Sequence, residues 1–231
     1  MLESKNDIHF LYLNFRSIIN FRLKALYNKL LRGHFFLKKN IKNYKKENLN
    51  FFIHFGSSFQ LEGFFNSQIL GKNPIDISKK LPFKDSTIDI IFSSHLIEHL
   101  HLNEIIYYLQ ESKRIMKKNA VQIIATPSLK KVFQTAFSKN NSYKKTLFEK
   151  GKKIFNFHNY SASHHINVLM RAYGHRFVFD KDFLESINKD IGFTKIEEIN
   201  IRKIQNKQIR DYLTKKPLRW KLESKIFLLT K

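Results

Sequence analysis

The stretch from Ser93 to His101 reads SSHLIEHLH, and within it His95, Glu98 and His99 keep the spacing H-x-x-E-H. Residues three and four apart share one face of a helix. Such a face could hold a zinc ion between two imidazoles while the carboxylate activates a bound water. That chemistry needs the motif in mid-helix and a third ligand from elsewhere in the chain. Here the motif follows directly on TIDIIFSS, whose isoleucines mark a buried strand. His95 therefore falls in a strand-to-helix turn, where open parallel sheets bind substrates and cofactors. The expectation is that His95, Glu98 and His99 hold no metal.

The elements around this turn alternate. LNFFIHF is a short continuous apolar run, as in a strand covered on both faces. FGSSFQLEG reads as a loop, FFNSQIL as a second short strand, and NPIDI as a candidate third. LNEIIYYLQESKRIMKK predicts an amphipathic helix with Ile105, Ile106, Leu109, Ile115 and Met116 inward, and AVQIIATP a strand ended by Pro127. Asp180 or Asp182 can cap a helix that stops at Gly192, and SKIFLLTK looks like a last strand. Strands alternating with helices predict an α/β fold with a mostly parallel central sheet.

Ahead of this domain, residues 8–32 carry apolar side chains at helical spacing, interrupted by Arg16, Arg22, Lys24, Lys29 and Arg32. Two readings fit: an accessory helix packed on the domain, or a basic helix lying peripherally on a membrane. KKNIKNYKKEN reads as a solvated linker. The expected division is residues 1–47, helix and linker, and residues 48–231, the α/β domain.

The formal charge is +23, with 42 basic and 19 acidic residues. An anionic partner follows: nucleic acid, an anionic membrane surface, or an acidic or nucleotide-linked glycan. Lysine dominates the excess and no arginine-rich or aromatic-basic repeat accompanies it, which argues against nucleic acid. The absence of cysteine excludes disulfides, thiolate metal sites and a thiol nucleophile. No export signal or spanning segment is evident, so a cytoplasmic protein is expected, one able to touch membrane. Hydrolase elbows, P-loops and dinucleotide fingerprints are missing as well.

LPFKDSTIDIIFSSHLIEHLHLNEIIYYLQESKRIMKKNAVQIIATP resembles the central block of class I S-adenosylmethionine-dependent methyltransferases. Members of that family show LPF, an acidic turn, S-x-H-x-x-E-H, a helix, and a strand ending in proline. The ending GHRFVFDKDFLESINKDIGFTKIEEI is similar to the small bacterial group associated with surface-polysaccharide synthesis, and the likeness spans roughly residues 48–200. It implies a Rossmann-like fold, S-adenosylmethionine as cofactor, and a small or glycan-linked acceptor. It also implies a cofactor loop at Phe55, Gly56, Ser57 and Ser58, with Ser58 where a second glycine is usual. Gln68 falls where an acid usually binds the ribose, Asp76 near the adenine end or in a turn, and Ser94 at the pocket mouth. Asp89 is a structural acid of the strand. His95 is the candidate base and Glu98 its orienting partner at the start of the next helix. Histidines 158, 164, 165 and 175 fall in the region that would cover the acceptor. The alternatives are a cofactor-free binding module and a basic RNA methyltransferase.

Overall fold

A computed structural model describes residues 33–56, 59–69, 72–139, 145, 148–149 and 161–231 of the chain. Its centre is a six-stranded sheet in the order β2-β1-β3-β4-β6-β5. The strands are β1 (Phe52–Phe55), β2 (Phe65–Ser67), β3 (Ile88–Ser94), β4 (Met116–Pro127), β5 (Lys195–Glu198) and β6 (Ser224–Thr230). The first four run parallel, and β6 lies antiparallel between β4 and β5. This is the Rossmann-like, mostly parallel α/β architecture expected from the sequence, with its three apolar strands β1, β3 and β4 adjacent.

Helices cover both faces: α1 (Gly33–Glu47), α2 (Leu102–Ile115), α3 (Leu129–Ala136), α4 (Ala162–Arg171), α5 (Lys181–Ile191), α6 (Lys207–Thr214) and α7 (Leu218–Glu223). Successive strand side chains point to opposite faces. Thus Ile91, Phe227 and Leu229 enter one core with Leu37, Ile105, Leu109 and Leu184 of α1, α2 and α5. Phe92 and Ile226 enter a second core with Ile209 and Leu213 of α6. Ile88, Ile91 and Phe92 of β3 are fully buried because that strand has neighbours at both edges and cover on both faces.

Three expectations need correction. The lysine-rich stretch after residue 38 is not a linker, since α1 runs to Glu47 and buries Leu37, with Ile41 and Tyr44 packed on the same core. That i, i+4, i+7 stripe is hidden in sequence by the lysines between its members. NPIDI is not a strand either. Asp76 Oδ1 accepts from the Ser78 amide (3.0 Å) and hydroxyl (2.7 Å), which bends the chain. Finally, α2 ends at Ile115, so Met116 is buried in β4 and no separate turn follows. Asn119 does take the left-handed conformation (φ 63°) anticipated for the glycine-free KKNA, but as a bulge within β4.

The capping of α5 by Asp180, whose carboxylate accepts from Phe183 N at 3.1 Å, and its stop at Gly192 follow the sequence reading. Residues 8–32, with their membrane reading, lie outside the described residues. Among the described residues no helix is long and apolar enough to cross a membrane.

Candidate active site

The sheet's switch point lies between β1, which leads to β2 on one side, and β3 on the other. Ligands of open α/β sheets bind outside the carboxyl ends of strands at such a point. Phe55 pairs with Ser93, so Gly56 and Ser94 lie side by side at that edge. Gly56 has φ 70°, and a Cβ there would come within 2.8 Å of Leu96 Cδ1. The positive φ favours glycine, and the Leu96 methyl is the movable end of a side chain. Its amide donates to Ser67 O at 2.9 Å, tying the turn to the end of β2. The Phe55 side chain is fully buried against Tyr108, so only its main chain borders the edge. Ser57 and Ser58 lie outside the described residues.

Gly56 and Ser94 sit at the β1–β3 edge, Gln68 follows the adjacent strand β2, and Asp76 lies in the loop beyond it. Gln68 is exposed just past β2 and lines an open cleft of about 440 Å³ with Tyr44, Glu47, Phe59 and Asn73. Asn73 holds that segment by donating to Asn66 O (2.9 Å) and accepting from Ser67 Oγ (2.8 Å). Asp76 is spent on its own turn. Asp89 sits at the opposite end of the sheet, accepting from Phe51 N and Lys117 Nζ at 2.8 Å. Its role there is structural.

His95 adopts a left-handed conformation (φ 52°), its amide held by Ala125 O at 2.8 Å. That turns the ring between two polar groups. Nε2 lies 2.8 Å from Ser224 Oγ, and Nδ1 lies 3.2 Å from Glu98 Oε1. Glu98 Oε2 accepts from Thr126 Oγ1 at 3.0 Å. Burial pushes His95 down to about 3 and Glu98 up to about 8, so both are neutral at pH 7. The expected carboxylate at a helix N-terminus is therefore absent. Glu98 is enclosed in the short 3₁₀ turn Ile97–His99, and α2 begins only at Leu102, with Glu104 bonding His101 N. Both ring nitrogens of His95 face protein groups, so it can accept a proton from a substrate only after one contact opens.

The sequence reading missed a wall built between β5 and β6. Lys216 Nζ lies 4.1 Å from the Tyr212 ring centroid, and that ring lies 4.0 Å from Phe59. The Tyr212 hydroxyl reaches Ser94, and burial pushes it up to about 12. Trp220 stands 5.6 Å from His95. DYLTKKPLRW carried no helical signal for this wall, because Pro217 splits Tyr212 on α6 from Trp220 on α7 and Lys216 falls between them. Of the other histidines, His158 lies outside the described residues. His164 sits by Ser161 Oγ (2.9 Å), His165 is buried 3.3 Å from Glu223, and His175 packs against His99.

Residues 71–124, from the loop after β2 into β4, match the family model described as a methyltransferase domain. No curated protein matches the chain. Among solved structures the chain is similar to a SAM-dependent methyltransferase from Archaeoglobus fulgidus. Identity there is 13%, over 89% of this chain and 98% of that one, with a TM-score of 0.44. It is also similar to Haemonchus contortus phosphoethanolamine N-methyltransferase 2 in complex with S-adenosyl-L-methionine. Here identity is 14%, over 84% of this chain and 52% of that one, with a TM-score of 0.40. The cofactor of the matched domain class is S-adenosylmethionine. The residues present fit it: a left-handed glycine turn after β1, a serine across the switch point, and an amide past β2.

Proposed function

We propose that this protein is an S-adenosylmethionine-dependent methyltransferase acting on a small or carbohydrate-linked acceptor of cell-surface glycan synthesis. The observation that supports this acceptor class is the Phe59–Tyr212–Lys216 wall beside Ser94. Aromatic faces stack on sugar rings, and an ammonium pairs with the phosphate or carboxylate such acceptors carry. The excess of cations, +23 overall, favours the same anionic class.

When bound, the cofactor supplies an electrophilic methyl group. The Gly56 main chain and Ser94 would hold its methionine end, and Gln68 would face the ribose. Tyr212, Lys216 and Trp220 orient the acceptor and exclude water, so the protein's contribution is chiefly positioning. His95 at the rim takes the acceptor proton once its ring leaves Ser224.

Calorimetry with S-adenosylmethionine tests the cofactor half, and binding tighter than about 1 mM is expected. Gln68→Asp should tighten it about tenfold by giving the ribose a charged acceptor. Lys216→Ala should leave cofactor affinity unchanged while slowing methyl transfer to nucleotide-linked sugars at least about tenfold. Absence of cofactor binding in both wild type and Gln68→Asp would instead favour a cofactor-free binding module.

A further inference from the structure

Glu98 also faces a second cluster. One donor atom each from Glu98, His99 and His175 lies within 4.8 Å of the others. We propose that Glu98, His99 and His175 bind a divalent transition-metal ion of the zinc type. The site takes only Glu98 and His99 from H-x-x-E-H, and the fold adds His175, 76 residues after His99 (175 − 99). This site goes beyond the methyl-transfer reading and does not depend on it.

The carboxylate is the first reason. Glu98 is fully buried, and its Oε1 has no hydrogen-bond partner. His95 Nδ1 approaches to 3.2 Å without completing a hydrogen bond to it. A buried acceptor without a donor is costly, and a cation is one remedy. Thr126 occupies Oε2 and fixes the carboxyl rotation, leaving Oε1 as a one-atom ligand.

The two imidazoles are the second reason. His99 Nδ1 lies 3.3 Å from Gly174 O, and His175 Nδ1 lies 2.5 Å from Leu169 O. A carbonyl oxygen only accepts, so each ring carries its proton on Nδ1 and its lone pair on Nε2. Histidines that ligate metal are oriented in this way, the far N–H tied to a backbone carbonyl. The rings stand with centroids 5.0 Å apart and planes 70° apart.

The backbone holds the pair together. Tyr173 and Gly174 are both left-handed (φ 61° and 75°), a costly bend for tyrosine, and it delivers His175 to the 3₁₀ turn. Arg176 N and Phe177 N then donate to Glu98 O at 2.8 and 3.2 Å. Arg176 is exposed, so solvent screens its charge from an ion.

Two imidazoles and one carboxylate select a borderline ion such as zinc over magnesium or calcium, which prefer oxygen. Zinc bonds of about 2.0–2.1 Å put tetrahedral donors about 3.3 Å apart, so the half-buried rings would close by roughly 1.5 Å. A fourth position is left for water or an acceptor oxygen.

Equilibrium dialysis of the chelator-stripped full chain against zinc chloride should give one ion per chain with micromolar affinity. Glu98→Gln and His175→Gln should each weaken it at least about tenfold, whereas His164→Ala should not. Cobalt in place of zinc should give the visible absorption of a four- or five-coordinate ion, lost in both variants. Metal-free melting curves show whether either variant is folded, and His99→Gln replaces any that is not. Failure to bind zinc tightly, or equal binding by folded variants, overturns the site. Since no step reads methyl transfer, the result is independent of the function proposed above.

Discussion

The two ends of the parallel strands are built on opposite terms. At the amino end the charged groups around Arg114 and Asp89 are met. Arg114 donates to both oxygens of Glu111 (2.7 Å each), to Asp85 (2.6 Å), and to the carbonyls of Phe83 and Leu81. Asp89 ties β3 to Phe51 and Lys117. From mid-sheet toward the carboxyl end the rule fails. Ser93 Oγ, both amide atoms of Gln122, Tyr108 Oη, Ser112 Oγ and Glu98 Oε1 are buried without an aligned partner. Buried polar atoms are almost always bonded in folded proteins. A cluster of exceptions beside the switch point marks the end where water or ligand belongs. One end anchors the sheet and the other serves chemistry.

Removing the anchor should have the largest effect. Arg114→Ala strips the partner from Glu111, whose side chain is 10% exposed, and two main-chain carbonyls lose a donor. The Asp85 contact adds little, since that carboxylate is 74% exposed. A loss of about 3–5 kcal/mol in urea unfolding is expected, with cofactor affinity retained below the transition. A loss under about 1 kcal/mol would remove the contrast between the ends.

An intermediate effect comes from acid. His54 is 1% exposed, stacked 5.0 Å from Phe92, and gives its Nδ1 proton to Asn66 Oδ1 (3.1 Å). Burial, reinforced by the charge of Lys216, lowers it from 6.5 to about 4 although the Asn66 bond opposes this. The folded state keeps the neutral ring, so below pH 6.5 the unfolded chain binds the extra proton. Stability is unaffected above that pH and falls between about 6.5 and 4, by about 3 kcal/mol. His54→Gln should remove its own share of this limb in urea midpoints taken from pH 7 to 4. Other buried histidines leave a residual slope. An undiminished limb would assign the proton to them instead.

Much of the architecture was legible because it rests on local pattern. TIDIIFSS and AVQIIATP are isoleucine-rich runs of strand length, and Asp180 and Gly192 punctuate α5 in the usual way. The α1 stripe was masked because Leu37, Ile41 and Tyr44 are three apolar residues among lysines, a face too narrow to register. The site was legible only where it follows strand ends: Gly56, Ser94 and His95. Its remainder arises from distant segments, with Tyr212 and Lys216 inserted between β5 and β6 and Ser224 reached by an antiparallel strand. For Asp76 the sequence left two readings, adenine end or turn, and its bonds to Ser78 give the turn.

The smallest expected effect is the sharpest test of the comparison. Tyr108 is fully buried on α2 with its ring edge-on to Phe55, and burial raises its phenol well above the usual value. Ser93, Ser112 and Gln122 surround the hydroxyl and offset part of that rise, though none meets it in full hydrogen-bond geometry. Tyr108→Phe keeps the ring and its packing and deletes only an unsatisfied oxygen. Losing a bonded hydroxyl typically costs about 0.5–1.5 kcal/mol, and losing one that leaves its partners stranded costs about 1–3. An oxygen with no aligned partner strands nothing, so stability should change by less than about 0.5 kcal/mol, in either direction. A loss beyond about 2 kcal/mol would mean that ordered water bridges Tyr108, Ser93 and Gln122, since such waters bond otherwise unsatisfied groups and are costly to remove. The carboxyl half would then be as saturated as the amino half, by solvent in place of side chains.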